Sequence, residues 1–153
     1  RKDFLWSLTS SAEITNNFKK QILSNSDNKI LLFSELTSQA EKLSPHSIHS
    51  YNEAEYNKTL LDRFNKGEIK ELSSCLSLTL GLNLVGANWA IFESYSGSST
   101  KYKQKSGRTH RLNINEIANI IIIRPLNTQM GNAWFDEAFK NVEYEVIEDL
   151  TKL

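Results

Sequence analysis

The residues of this chain best suited to do chemistry are Arg108 and Arg111, in the stretch Gln104-Lys-Ser-Gly-Arg-Thr-His-Arg111. A guanidinium is planar, permanently charged and forked, so it meets phosphate oxygens two at a time. A pair of them on a loop loosened by Gly107 is what a phosphate-transfer site recruits to neutralise charge that builds on a γ-phosphate. Taken alone, the same residues also read as a solvated basic loop. Lys101, Lys103, Lys105, Arg108, His110 and Arg111 form the only dense basic cluster, and no acid interrupts it. Lysine plus arginine and aspartate plus glutamate number 18 each, so the formal net charge is zero. That balance does not exclude nucleic acid, because binding needs a local basic face rather than a basic total.

Other candidate chemistry is thin. A phosphate cradle of the form Gly-x-x-x-x-Gly-Lys-Ser/Thr is missing, and Gly97-Ser-Ser-Thr-Lys101 has the wrong spacing. Asp136-Glu137 imitates an acidic magnesium motif but falls on an amphipathic helix, as a solvated face. The chain by itself is therefore expected neither to bind ATP tightly nor to hydrolyse it. His46 and His49 point to opposite faces at strand spacing and have no third ligand nearby, so no metal site is expected. Cys75 lacks a neighbouring histidine and is not expected to be a nucleophile. As the only cysteine, it permits no internal disulfide and suits a reducing, cytoplasmic setting. No apolar run is long enough to cross a bilayer. The chain opens Arg-Lys-Asp-Phe, without initiator methionine or signal pattern, and is expected to be a domain excised from something larger.

These residues need elements to position them. The 153 residues suffice for one domain with a core, at 39% apolar and 24% charged. A helical lead-in is predicted over residues 1–24. Phe4, Leu5 and Leu8 form one patch, and Ile14, Phe18 and Ile22 recur every four residues after Ser11 as a cap. Lys29–Ser34 is a short continuous apolar run, as in a strand buried on both faces. Glu35–Leu43 is a predicted helix stopped by Pro45, and His46–Ser50 a weak strand. Glu53–Asn65 is a helix burying Leu60, Leu61 and Phe64, ended by Gly67. Ile69–Cys75, Trp89–Phe92 and Asn119–Arg124 are predicted strands. Helix is expected over Tyr102–Ser106 and Asn132–Lys140, and Tyr144–Leu150 fits strand or helix. Alternation of strand and helix indicates an α/β domain, residues 25–153, with a parallel sheet covered on both faces. Ligands of such sheets gather at the carboxyl ends of the strands.

In this order, the segments resemble the second RecA-like domain of superfamily-two helicases and translocases, over roughly Phe18 to Phe139. Lys29-Ile-Leu-Leu-Phe-Ser34 resembles that family's fourth motif. Leu60 to Lys70 is similar to the helix-Phe-x-x-Gly lead into the next strand. Ser74 to Phe92 resembles motif five, and Gln104 to Arg111 motif six. The Gly-Leu-Asn-Leu form of motif five is closest to Swi/Snf-type translocases and some phage helicases. Asn83 stands where many members have aspartate, Ser74-Cys75 where Ser-Thr is common, and Tyr51-Asn52 where His-Gly is common.

The resemblance implies the C-terminal motor lobe of an ATP-dependent nucleic-acid motor, with ATP and Mg2+ held mainly by a first RecA-like lobe. Arg108 and Arg111 would reach the triphosphate, and Gln104 would orient the loop or a water. Gly81 and Gly107 would admit the backbone to the nucleotide, and Asn83 would couple the ribose or Arg108 to the sheet. Ser34, Tyr51, Asn52, Ser74 and Cys75 are candidates for phosphate or sugar contacts, which position a strand without reading its sequence. DNA is expected in preference to RNA. The polar strand Glu71–Cys75 and Asn83 leave room for another reading, a non-catalytic binding or scaffold module derived from such a lobe. A small-molecule enzyme on a Rossmann-like sheet lacks a supporting Gly-x-Gly-x-x-Gly motif.

Overall fold

A computed structural model describes residues 9–75, 84–94, 119–124, 132, 133, 135, 136, 143, 145 and 146. In chain order these form α1 (Thr9–Leu23), β1 (Ile30–Ser34), α2 (Thr37–Leu43), β2 (Ser47–Ile48), α3 (Ala54–Asn65), β3 (Glu71–Cys75), β4 (Trp89–Phe92) and β5 (Asn119–Ile122). The strands make one parallel sheet in the order β2-β3-β1-β4-β5. Ser34 lies opposite Cys75, and Phe33 opposite Phe92. Phe92 in turn lies opposite Ile122, so the strands run out together at one carboxyl rim.

The apolar pattern explains the layering. β1 is central and every one of its residues is buried, as its uninterrupted apolar run predicts. Strand residues alternate between two clusters. Leu31, Phe33, Ala90 and Phe92 face Leu60 and Phe64 of α3, while Ile30, Leu32 and Ile91 face Phe18 and Ile22 of α1 and Leu43 of α2. Each such side chain taken from water contributes about 1.5–3 kcal/mol.

Helix limits and faces depart from the sequence pattern most in α1 and α2, and α3 starts one residue late, with Glu53 an extended N-cap. α1 already includes Thr9, so Ser11 lies inside the helix rather than capping it. Its buried face carries Thr15, Phe18 and Ile22, whereas Ile14 is on the outer side. The Thr15 hydroxyl donates to the Ser11 carbonyl at 2.8 Å, which lets a polar residue sit fully buried there. α2 starts at Thr37, with Leu36 as an extended N-cap rather than a helical core residue. Ala40 and Leu43 are buried as expected. Ser44, which precedes Pro45, is extended, as a residue before proline should be.

The amino rim is pinned by Lys29. Its backbone N–H donates to Asn88 Oδ1 at 2.8 Å, and its ammonium donates to the Val85 carbonyl at 2.7 Å. That ammonium also lies 4.3 Å from the Phe64 ring centroid. Gly86, at φ +77°, passes so close that a Cβ there would meet Lys29 Nζ at 3.3 Å. Desolvation, and then the charge of Lys70, push the Lys29 pKa below its ordinary value.

The polarity of β3 has a structural use. The buried Ser73 hydroxyl donates to the Ala40 carbonyl at 2.7 Å, tying α2 to the sheet. Lys19 on α1 reaches the Glu71 carboxylate at 3.0 Å, at the start of the same strand. Among the described residues, no helix is long and apolar enough to cross a membrane. The Phe4, Leu5 and Leu8 patch, the Tyr102–Ser106 helix and the Tyr144–Leu150 segment as a whole lie outside the described residues. The Asn132–Lys140 helix is described only at residues 132, 133, 135 and 136, all helical.

Candidate functional site

The carboxyl rim gathers the candidate side chains in strand order. Tyr51 and Asn52 follow β2, Ser74 and Cys75 end β3, and Ser34 ends β1. The rim continues through Glu93 and Ser94 beyond β4 and Arg124 beyond β5. The connections 76–83 and 95–118 also depart from this rim. Gly81, Asn83, Gln104, Gly107, Arg108 and Arg111 belong to those connections and lie outside the described residues.

Side-chain hydrogen bonds brace the described part of the rim. Ser34 is fully buried, and its hydroxyl donates to the Leu36 carbonyl at 2.9 Å. The Glu35 N–H donates to Ser94 Oγ at 2.6 Å, joining the exits of β1 and β4. The Cys75 thiol donates to the Glu35 carbonyl at 3.1 Å, joining β3 to β1. Ser74 donates to the Cys75 carbonyl at 2.9 Å. Ser34 and Cys75 thus stand together and hold the loop that leaves β1, while Ser74 bonds within its own strand. Asn52 donates one amide hydrogen to the Ser47 carbonyl at 2.8 Å and another to Asn57 Oδ1 at 3.0 Å. Tyr51, in contrast, is 84% exposed.

Sequence reasoning passed over two charged groups of this rim. Glu93 follows β4 directly and has no exposed surface. One carboxylate oxygen accepts the Ser11 hydroxyl at 2.5 Å, binding α1 to the sheet, and the other has no hydrogen-bond partner among the described residues. Desolvation raises the Glu93 pKa, and hydrogen bonds from Ser11 and Ser94 offset part of that rise. An acid immediately after an apolar strand is the only signal the sequence carries for it. Arg124 donates to Asn132 Oδ1 at 3.0 Å and lies 4.3 Å from the Phe135 ring centroid. It thereby ties Asn132 and Phe135, both helical, to the end of β5. Asp136 is largely exposed, as expected for a solvated face. His49 is buried, and its Nε2 stands 3.2 Å from the Glu41 carboxylate.

Glu93 makes stability depend on pH, with a sign that follows from linkage. A carboxyl whose folded pKa is raised binds more protons in the native state, so stability is greatest below its unfolded pKa and falls as pH rises toward the folded one. Gln keeps the shape and an acceptor oxygen for Ser11, but carries no charge. The stability of Glu93→Gln relative to the parent is expected to improve as pH rises from about 5 to about 8. Urea unfolding at each pH measures it, and a difference that stays constant across the range would refute the titration.

Comparison with known proteins gives this architecture a context. The chain matches the family described as helicase conserved C-terminal domain over residues 12–113. No curated protein matches it. Among solved structures, it is similar to the C-terminal part of the Fun30 ATPase domain, with TM-score 0.74 at 19% identity over 87% of this chain. It is also similar to the DUF1998 helicase MrfA bound to DNA, with TM-score 0.63 at 16% identity over 73% of this chain. A third is domain 2 of the DEAD-box helicase Mss116p, bound to an RNA duplex, with TM-score 0.62 at 19% identity over 75% of this chain. The chain spans 46%, 18% and 50% of those three structures respectively. At these identities the likeness is one of fold.

Proposed function

The chain belongs to the helicase conserved C-terminal domain family, and we propose that it is the C-terminal motor lobe of an ATP-dependent nucleic-acid helicase or translocase. Its RecA-like fold is a five-stranded parallel sheet with helices on both faces. One observation carries the reading: β2, β3, β1, β4 and β5 all run out at one rim, and the connections bearing Gly81, Asn83 and the arginine pair leave from that rim. The family match reaches residue 113 and so includes both arginines.

In this proposal Arg108 and Arg111 project toward the γ-phosphate of an ATP–Mg2+ that a first lobe holds. Two permanent charges suit a polyphosphate, and a loop arginine of this kind is worth about three to five orders of magnitude in turnover in other NTPases. Gln104 orients the loop or a water, Gly81 and Gly107 allow close backbone approach, and Asn83 links the ribose or Arg108 to the sheet. Nucleic acid crosses the part of the rim formed by Ser34, Tyr51, Asn52, Ser74 and Cys75. Lobe closure assembles the site and lobe opening releases product, which moves the lobes along the strand.

The test compares the purified chain with the same chain joined to its natural first lobe. The chain alone is expected to show no ATP hydrolysis, and the joined protein is expected to show hydrolysis stimulated by single-stranded DNA, with RNA tried in parallel. ATP turnover by the chain alone would overturn the division of labour. A joined protein indifferent to both nucleic acids would overturn the motor reading.

A further inference from the structure

Glu93 is a buried carboxylate that the proposed chemistry leaves without a task. It lies two residues beyond Ile91 and so on the same face of the sheet, where Ile30, Leu32 and Ile91 pack against α1 and α2. An apolar side chain would continue that face. A carboxyl group there is stripped of water instead, with one oxygen unpartnered among the described residues, and that costs stability. What the carboxylate supplies is direction. Apolar contacts let a helix slide, whereas the Ser11 hydroxyl bound to Glu93 Oε1 fixes where α1 stands along its own axis.

The place of this bond gives it a use. Glu93 is the first residue beyond β4, and with Ser94 it forms the base of connection 95–118, which bears Gln104, Gly107, Arg108 and Arg111. Neither base residue has exposed surface. The Glu93 N–H donates to the Phe33 carbonyl at 2.9 Å, and Ser94 Oγ accepts the Glu35 N–H at 2.6 Å, so the base is pinned to the exit of β1. The Ile123 N–H donates to the Phe92 carbonyl at 3.0 Å and joins the exit of β5. Ser11 adds a tie from outside the sheet. Toward its other end α1 is held by Lys19, whose ammonium meets the Glu71 carboxylate at 3.0 Å at the start of β3. The helix thus spans the sheet between its two rims, and its tie at the carboxyl rim falls on the base of the arginine-bearing connection.

We propose that Glu93 is a positioning residue for ATP turnover: through Ser11 it clasps α1 to the base of that connection and fixes where the connection leaves the sheet. The proposal rests on the motor-lobe reading and adds to it a residue that acts through the arginine loop rather than on the nucleotide. Placement is worth much in such a site, since an error of about 1 Å can cost about 100-fold in rate.

The test uses the chain joined to its natural first lobe and reads ATP turnover stimulated by single-stranded DNA, with RNA in parallel. Glu93→Ala is expected to lower kcat by about 100-fold, with KM for ATP little changed. Glu93→Gln, which keeps the shape and the oxygen that Ser11 meets, is expected to retain most of the turnover. Ser11→Ala is expected to lose part of the same turnover, and to cost nothing further when added to Glu93→Ala, because the clasp is already open. Ser73→Ala cuts a buried tie elsewhere, between β3 and α2, and measures what destabilisation alone does. Its kcat is expected to stay at the parent's. Thermal unfolding fixes a temperature at which the variants are folded, and Ser11→Ala carries the test by itself if Glu93→Ala does not fold. Parental kcat in Glu93→Ala or Ser11→Ala, an equal loss in Ser73→Ala, or a Gln variant as slow as the Ala variant would overturn the positioning role and leave the motor-lobe reading standing. A parent without stimulated turnover would overturn that reading and the positioning role with it.

Discussion

In the protein that joins this chain to its first lobe, Arg108→Ala and Arg111→Ala are each expected to lower nucleic-acid-stimulated ATP turnover by about 10^3- to 10^5-fold. That range corresponds to about 4–7 kcal/mol of transition-state stabilisation. The loss should appear in kcat, with KM for ATP little changed, because charge grows on the transferred phosphoryl group only as the bond breaks. Lysine at either position should recover little, since an ammonium offers a point charge rather than a planar fork. Nucleic-acid binding should survive in both variants, because the contacts assigned to the strand lie elsewhere on the rim. Steady-state turnover and oligonucleotide binding on the same preparations separate the two functions. Turnover that persists near the parent rate in either variant would remove that arginine from the mechanism.

The sheet was legible where one force decided the outcome. An unbroken apolar run such as Ile30–Phe33 has nowhere to go but the middle of a sheet covered on both faces, and that is where β1 lies. Leu60 and Phe64 were legible for the same reason, on a helix with a single apolar stripe. Where two partners had to be known, the sequence was silent. Ser11 has the side chain of a helix cap, but its hydroxyl answers a carboxylate 82 residues away, just beyond β4. Thr15 replaces Ile14 on the buried face because the sheet, and not the four-residue spacing, sets the rotation of α1.

The rim divides in the same way. Residue types marked Asn52 and Ser34 as able to contact a sugar or phosphate, yet both polar groups are engaged within the fold, with Ser47 and Asn57 in one case and Leu36 in the other. A donor inventory read from sequence counts hydrogens without knowing which ones the fold consumes. Exposure, which singles out Tyr51, is likewise a property of the folded chain and not of the dipeptide Tyr51-Asn52.

Phe64→Ala is expected to cost about 3–5 kcal/mol, the range for emptying a fully buried aromatic site. Phe64 has no exposed surface and belongs to the cluster that seals α3 against β1, β3 and β4. A domain of this size has about 5–15 kcal/mol of stability in all, so the variant should stand near the edge of folding. The ring has a second duty that makes the site unusual: the Lys29 ammonium lies over it at 4.3 Å. Removing the ring opens a cavity and takes from a largely desolvated cation its aromatic partner, leaving the Val85 carbonyl as its acceptor. Lys29→Met keeps much of the stem's volume without the charge, and the cycle of Lys29→Met, Phe64→Ala and the double variant isolates the pair. A coupling of about 1–2 kcal/mol is expected by urea unfolding, reflecting a cation–π contact shielded from water. Additive costs would mean that the ring and the cation are neighbours without attraction. A cost for Phe64→Ala below about 1 kcal/mol would mean that α3 is held to the sheet by contacts other than this ring.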